Sequence, residues 1–66
     1  MALLQHWLAL EALEEIVSAA AACEAAARAN HETGNVRAEL IEREKARAYR
    51  NAARAITDRL DRERYG

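Results

Sequence analysis

Asn30-His31-Glu32-Thr33-Gly34-Asn35 separates two long alanine-rich stretches and holds the only internal glycine of a chain without proline. Glycine readily takes the left-handed backbone conformation that ends a helix, and asparagine can cap the free amides of the helix that follows. Gly34 and Asn35 therefore predict a helix stop followed directly by a helix start. Because the intervening turn is short, the two helices are expected to lie side by side and antiparallel.

The predicted fold class is all-α, with the whole chain, residues 1–66, forming one antiparallel helical hairpin. Helix 1 is expected at about 2–32, the turn at 33–35 and helix 2 at about 35–63. The main alternative is a long coiled coil in which the turn is only a kink. Such a rod would be about 90 Å long at the helical rise per residue.

The small size and the composition predict self-association. A chain of 66 residues buries only about 60% of the surface that its unfolded form exposes. Seventeen of its residues are alanines and only three are aromatic, so two helices alone form a thin core. We therefore expect a homodimer in which two hairpins pair as a four-helix bundle.

Apolar residues recur at helical spacing in both segments and predict the seam between the helices. Large residues in the first half of helix 1 face alanines in helix 2, an arrangement that packs without voids. In this register Leu10 is expected near Ile56, Leu13 near Ala52 and Ala53, and Val17 near Tyr49. The predicted core or dimer seam consists of Leu3, Leu10, Leu13, Ile16, Val17, Tyr49, Ile56 and Leu60.

Two charged residues interrupt the predicted seam and face each other in the same register. Glu24 is expected close to Lys45, and a pair there would fix the register at some cost in stability. The alternative is that both side chains lie at the edge of the seam and extend into water.

Four arginines recur at i, i+4, i+7 and i+11 on the outer face of helix 2: Arg43, Arg47, Arg50 and Arg54. Like charges at this spacing destabilise a helix slightly, so helix stability does not account for them. Arginine makes bidentate contacts to both carboxylates and phosphates. The strip is therefore a candidate site for an acidic protein or a nucleic acid, and the third alternative is a solvated face.

The N-terminal two turns are apolar nearly all round, because Leu4 and Leu8 lie away from the predicted seam and Trp7 lies at its edge. One hairpin cannot cover these side chains. They are candidates either for a dimer core or for a site that binds a different protein, a role in which tryptophan is enriched.

The sequence predicts neither catalysis nor a cofactor. His6 and His31 are expected at opposite ends of the hairpin and cannot share a metal ion. Cys23 has no expected histidine neighbour, and its position predicts a small residue of the seam. Nothing resembles a secretory signal or a membrane span, and the single cysteine suits a reducing compartment, so we expect a cytoplasmic protein that does not bind membranes.

These features favour a small non-enzymatic protein-binding module that modulates a larger partner as an inhibitor, adaptor or assembly factor. A phage- or plasmid-encoded regulator of a host protein is one example of this class. In length and predicted architecture the chain is also similar to the Rop-type plasmid copy-control proteins, helical hairpins that dimerise and bind RNA. No motif is shared, so the resemblance implies only an RNA- or DNA-binding dimer as the alternative. A purely structural subunit is the third possibility.

Overall fold

Two long helices joined by a three-residue turn make up the fold. The computed structural model describes the backbone of residues 2–65 and the side chains of residues 5–64. Helix α1 spans Ala2–Glu32 and helix α2 spans Val36–Tyr65. They pack against each other along their length, and the molecule measures 48 × 17 × 12 Å. The all-α helical hairpin is thus confirmed, and the alternative of a single extended rod is wrong.

The turn has the hydrogen bonds expected of a helix stop and a helix start. Gly34 has a φ of 78°, its amide donates to the carbonyl of His31 at 3.1 Å, and the amide of Asn35 donates to the carbonyl of Asn30 at 2.8 Å. These two bonds form a Schellman motif. The side chain of Asn35 then accepts a bond from the amide of Ala38 at 3.3 Å. The predicted roles of Gly34 and Asn35 are confirmed.

Small side chains form the contact between the helices. Within the described part of the chain, the buried apolar residues are three in α1 and two in α2, and no large side chain is fully buried. Their spacing of three, four and seven residues places them on one line along each helix. The buried residues are Ala20, Cys23, Ala27, Ala46 and Ala53.

The contact within the hairpin uses only part of the predicted core or dimer seam. Ile16, Leu13, Ile56 and Leu60 are partly buried, whereas Leu10, Val17 and Tyr49 remain 46%, 39% and 36% exposed. Helices approach most closely where their side chains are smallest, so the line of contact follows the alanines and Cys23. Contact along this line places Leu10 and Val17 at the edge of the face that α1 turns toward α2.

Near the turn, the face of α2 that contacts α1 also carries acidic side chains. The face that buries Ala46 also turns Glu39 and Glu42 toward α1, and their side chains are only 14% and 22% exposed. Lys45, predicted to interrupt the seam, is 52% exposed. Its side chain extends into water at the edge of the seam, which runs one residue away through Ala46, and this is the second of the two predicted arrangements. The predicted seam residue Leu3 lies outside the residues whose side chains the structure describes.

Candidate interaction surfaces

The four arginines of the predicted strip lie on one side of α2 but differ in their surroundings. Arg43 donates from Nε to Oε2 of Glu39 at 2.9 Å, and Arg50 donates to both carboxylate oxygens of Glu24 at 3.2 and 2.7 Å. Arg47 and Arg54 make no hydrogen bond or ion pair with any residue between 5 and 64. Two of the four guanidinium groups are therefore already bound to acids, and two are available.

The bidentate pair of Glu24 and Arg50 joins the two helices at the edge of their contact. The predicted pairing of Glu24 with Lys45 was wrong, because Lys45 bonds instead to Glu42 within α2 at 3.2 Å. The longer, forked arginine side chain spans the helices from the edge that Glu24 occupies. The hydrogen bond from Arg50 holds the pKa of Glu24 below its usual range, and the same bond raises the pKa of Arg50.

A second ionic cluster lies beside the turn. The carboxylate of Glu39 accepts from Arg43 and lies 3.0 Å from Nδ1 of His31, which belongs to the last turn of α1. These two hydrogen bonds, that from Arg43 being the stronger, lower the pKa of Glu39. His31 is thus a residue of the last turn of α1 whose side chain bonds to α2.

These pairs and two apolar residues line one edge of the hairpin, which we call the mixed edge. On α1 it carries four residues at seven-residue spacing: Leu10, Val17, Glu24 and His31. The half near the turn is closed by the ionic pairs of Glu24 and His31. The half near the open end is a shallow groove, in which Leu10 and Leu13 lie beside Thr57 and Leu60 of α2. The mixed edge thus changes from ionic to apolar along its length.

The open end exposes the large side chains that were predicted to bind a partner. Trp7 and Leu8 are each 55% exposed. Leu8 lines a groove on the side opposite the mixed edge, together with Gln5 and Ile56. The side chain of Leu4, the third member of the predicted site, lies outside the described residues. Partner binding by these residues stays a prediction.

A further apolar patch lies at the other end of the molecule and was missed by the sequence analysis. Val36, Leu40 and Ile41 at the start of α2 are 63%, 58% and 52% exposed. Ile41 lies eight residues before Tyr49, a helical spacing that also suited the predicted seam. The spacing of Val36 and Leu40, i and i+4 on the outer side of α2, was the signal that could have identified the patch.

The side chains that could take part in metal or redox chemistry are scattered. Among residues 5–64 no group of three histidine, cysteine or acidic side chains converges as a metal site would require. Cys23 is buried in the seam, and burial, followed by a hydrogen bond with Glu42, raises the pKa of its thiol. A thiol in such surroundings is a poor nucleophile.

Neither helix has a stretch among its described residues that is apolar enough, over sufficient length, to cross a lipid bilayer. Comparison with known proteins gave no match to a protein-family model, to a curated protein or to a solved structure.

Proposed function

We propose that this chain is a small non-enzymatic protein-binding module, which assembles as a homodimeric four-helix bundle and modulates a larger partner as an inhibitor, adaptor or assembly factor. The observation that carries the proposal is the distribution of side-chain size. Alanines and Cys23 occupy the centre of the hairpin, whereas tryptophan, leucine, isoleucine and valine side chains lie half exposed on its outside. Apolar surface of this kind on a small protein is typical of a binding surface.

The exposed apolar residues fall into separate areas, which supports two different contacts. Leu10 and Val17 lie on the mixed edge, and we assign them to the homodimer. Trp7 and Leu8 lie at the open end, beyond the region where the ionic pairs join the helices, and we assign them to the larger partner. Tryptophan and leucine at an exposed helix end can fill a pocket on another protein and supply much of its binding energy.

Arg43 and Arg50 are each paired with a glutamate of the same chain, and this favours a protein partner over a nucleic acid. Neutralised guanidinium groups release few counterions from a phosphate backbone, and counterion release drives most nucleic-acid affinity. Arg47 remains as a cation that can bind an acidic protein surface. In this proposal the arginine strip supplements the apolar open end.

The test is capture of a partner from cells of the native host with three versions of the chain as bait. The wild type and the control Leu40→Ala should retain one stoichiometric protein, and the double variant Trp7→Ala with Leu8→Ala should lose it. Leu40 is a matched control because it is 58% exposed at the opposite end of the hairpin.

Absence of any stoichiometric protein, or equal capture by all three baits, would overturn the proposal. Co-purification of RNA or DNA that is lost between low and physiological salt, and that Arg47→Glu with Arg54→Glu abolishes, would identify a nucleic-acid-binding dimer instead.

A further inference from the structure

We infer that a second copy of this chain docks on the mixed edge, with α1 of each copy against α2 of the other and both turns at the same end of the bundle. This inference rests on the homodimer in the proposed function and specifies its interface. The contact is centred on Leu10, Leu13 and Val17 and is flanked by ion pairs between Glu14 of one copy and Arg54 of the other.

The solvent-accessible area of the hairpin is large enough for an interface with a second copy. The chain exposes 5429 Å², whereas a globular protein of its mass, 7.4 kDa, exposes about 4,200 Å². The excess of roughly 1,200 Å² exceeds the ~800 Å² that each partner buries in a standard interface and suits an obligate dimer.

The apolar side chains on the mixed edge are grouped and half exposed. Leu10 and Val17 are 46% and 39% exposed, and together with Leu13 they line a continuous shallow depression along α1. Glu14, which is four residues after Leu10 and three before Val17, projects from the same face. It forms no ion pair with any residue between 5 and 64.

The opposing charge lies on the same side of α2. Arg50 reaches Glu24 across the mixed edge, and Arg47 and Arg54 are three residues before and four after Arg50, so they share its face. Both lack a partner among residues 5–64. The face therefore carries an unpaired acid on one helix and unpaired bases on the other, which makes it complementary to a copy of itself.

The relative heights of these charges select the orientation. The pairing of His31 with Glu39 and the shared groove of Leu10 and Thr57 place residues at one height when their numbers sum to roughly 70. Glu14 therefore lies level with Arg54. Under a two-fold axis parallel to the helices, a given residue lies at the same height along the bundle in both copies. This symmetry sets α1 of one copy against α2 of the other. Glu14 of each copy then meets Arg54 of the other.

The alternative two-fold axis crosses the helices at right angles. Centred on the apolar depression, it would bring Glu14 close to Glu14 of the second copy and arginines close to arginines. Juxtaposed like charges oppose association. Charge complementarity thus favours the arrangement with both turns at one end.

A charge swap tests both the face and the orientation. Glu14→Arg alone and Arg54→Glu alone should each raise the dimer dissociation constant at least about tenfold, because each creates two like-charge contacts. The double variant should recover to within about threefold of the wild type, because the pairs re-form with reversed sign. Sedimentation equilibrium measures the constants, and circular dichroism checks that each variant stays helical.

Matched controls are Glu15→Arg and Arg62→Glu, which make the same charge changes on faces turned away from the mixed edge. They should leave dissociation unchanged. Single variants that dimerise like the wild type, a double variant that does not recover, or a monomeric wild type would each overturn the inference.

The outcome is distinguishable from failure of the proposed module. A dimer that is insensitive to both swaps, in a protein that still captures its partner through Trp7 and Leu8, contradicts only the interface. A dimer that responds as expected, in a protein that captures nothing, contradicts only the partner-binding role.

Discussion

Gly34 determines the path of the chain at the scale of a single residue. Its φ of 78° is left-handed, and an added Cβ would meet no atom within 4 Å. Any cost of a side chain here therefore arises from the backbone and not from a steric clash. Gly34 connects the Schellman motif that ends α1 to the asparagine cap that starts α2.

Gly34→Ala should lower the free energy of unfolding by about 1 kcal/mol, the usual cost of a left-handed conformation for a residue with a Cβ. Gly34→Asn should cost less, because asparagine tolerates this conformation better. Chemical denaturation of the three proteins measures the order. Equal stability of all three would contradict the helix-stop role, and loss of partner binding by a stably folded Gly34→Val variant would place a binding site at the turn.

The pair of Glu24 with Arg50 makes the free energy of unfolding depend on pH in the acid range. The pKa of Glu24 is lower in the folded chain than in the unfolded one, so the unfolded state binds more protons as the pH falls. The contribution of the pair is therefore fully present above the unfolded carboxylate pKa of about 4.3. It decreases as the pH falls through the lower folded pKa. Glu39, whose pKa is also lowered, adds to the same trend.

Glu24→Gln should lower the melting temperature at pH 7 and flatten its decline between about pH 5 and pH 3. The control is Glu15→Gln, a change in an exposed α1 glutamate without an ion pair among the described residues. Thermal melts across this pH range provide the measurement. If both variants melt alike at pH 7, the pair contributes nothing to folding.

For the helices, the sequence predicted the two elements and the turn between them, but not which line of residues on each helix forms the contact. Gly34 and Asn35 carried enough local chemistry to predict the hairpin, because their conformational preferences act within a few residues. The phase of the seam depended on which of several alanines come closest, and this is a property of the helix pair. For that reason the sequence could not divide the predicted core or dimer seam into residues that the hairpin itself partly buries, such as Ile16, and residues that it leaves half exposed, such as Leu10 and Val17.

The candidate site was predictable to a similar extent. The spacing of Arg43, Arg47, Arg50 and Arg54 predicted one strip, since four arginines at helical spacing must share a face. The pair of Arg43 with Glu39 follows from their i,i+4 spacing, whereas the pair of Arg50 with Glu24 was not predictable, because it depends on the rotation of both helices. The patch of Val36, Leu40 and Ile41 was missed because Ile41 also suited the buried face.

Ala20 marks the line of closest approach, since it is fully buried between the helices. Ala20→Leu should lower the free energy of unfolding by about 1–3 kcal/mol, because a larger side chain forces the helices apart. Ala25→Leu, the same change at an exposed position of α1, should alter it by less than about 0.5 kcal/mol. Denaturant titration compares the two. Equal effects would mean that the helices do not pack along the alanines.

At the scale of the whole molecule, one hairpin is elongated and thinly packed. Its radius of gyration is 15.1 Å, whereas a compact domain of this length has about 11 Å. Its buried centre consists of alanines and one cysteine, which provide little apolar burial per residue. Association with a second copy would bury Leu10 and Val17 and add the large side chains that the seam of a single hairpin lacks.

The central claim is that the hairpin completes its core by pairing with a second copy, and sedimentation equilibrium across a range of concentrations tests it most directly. We predict a mass twice the 7.4 kDa of the single chain, with dissociation only on strong dilution. A well-folded helical protein that sediments as a single chain at every concentration would contradict the claim.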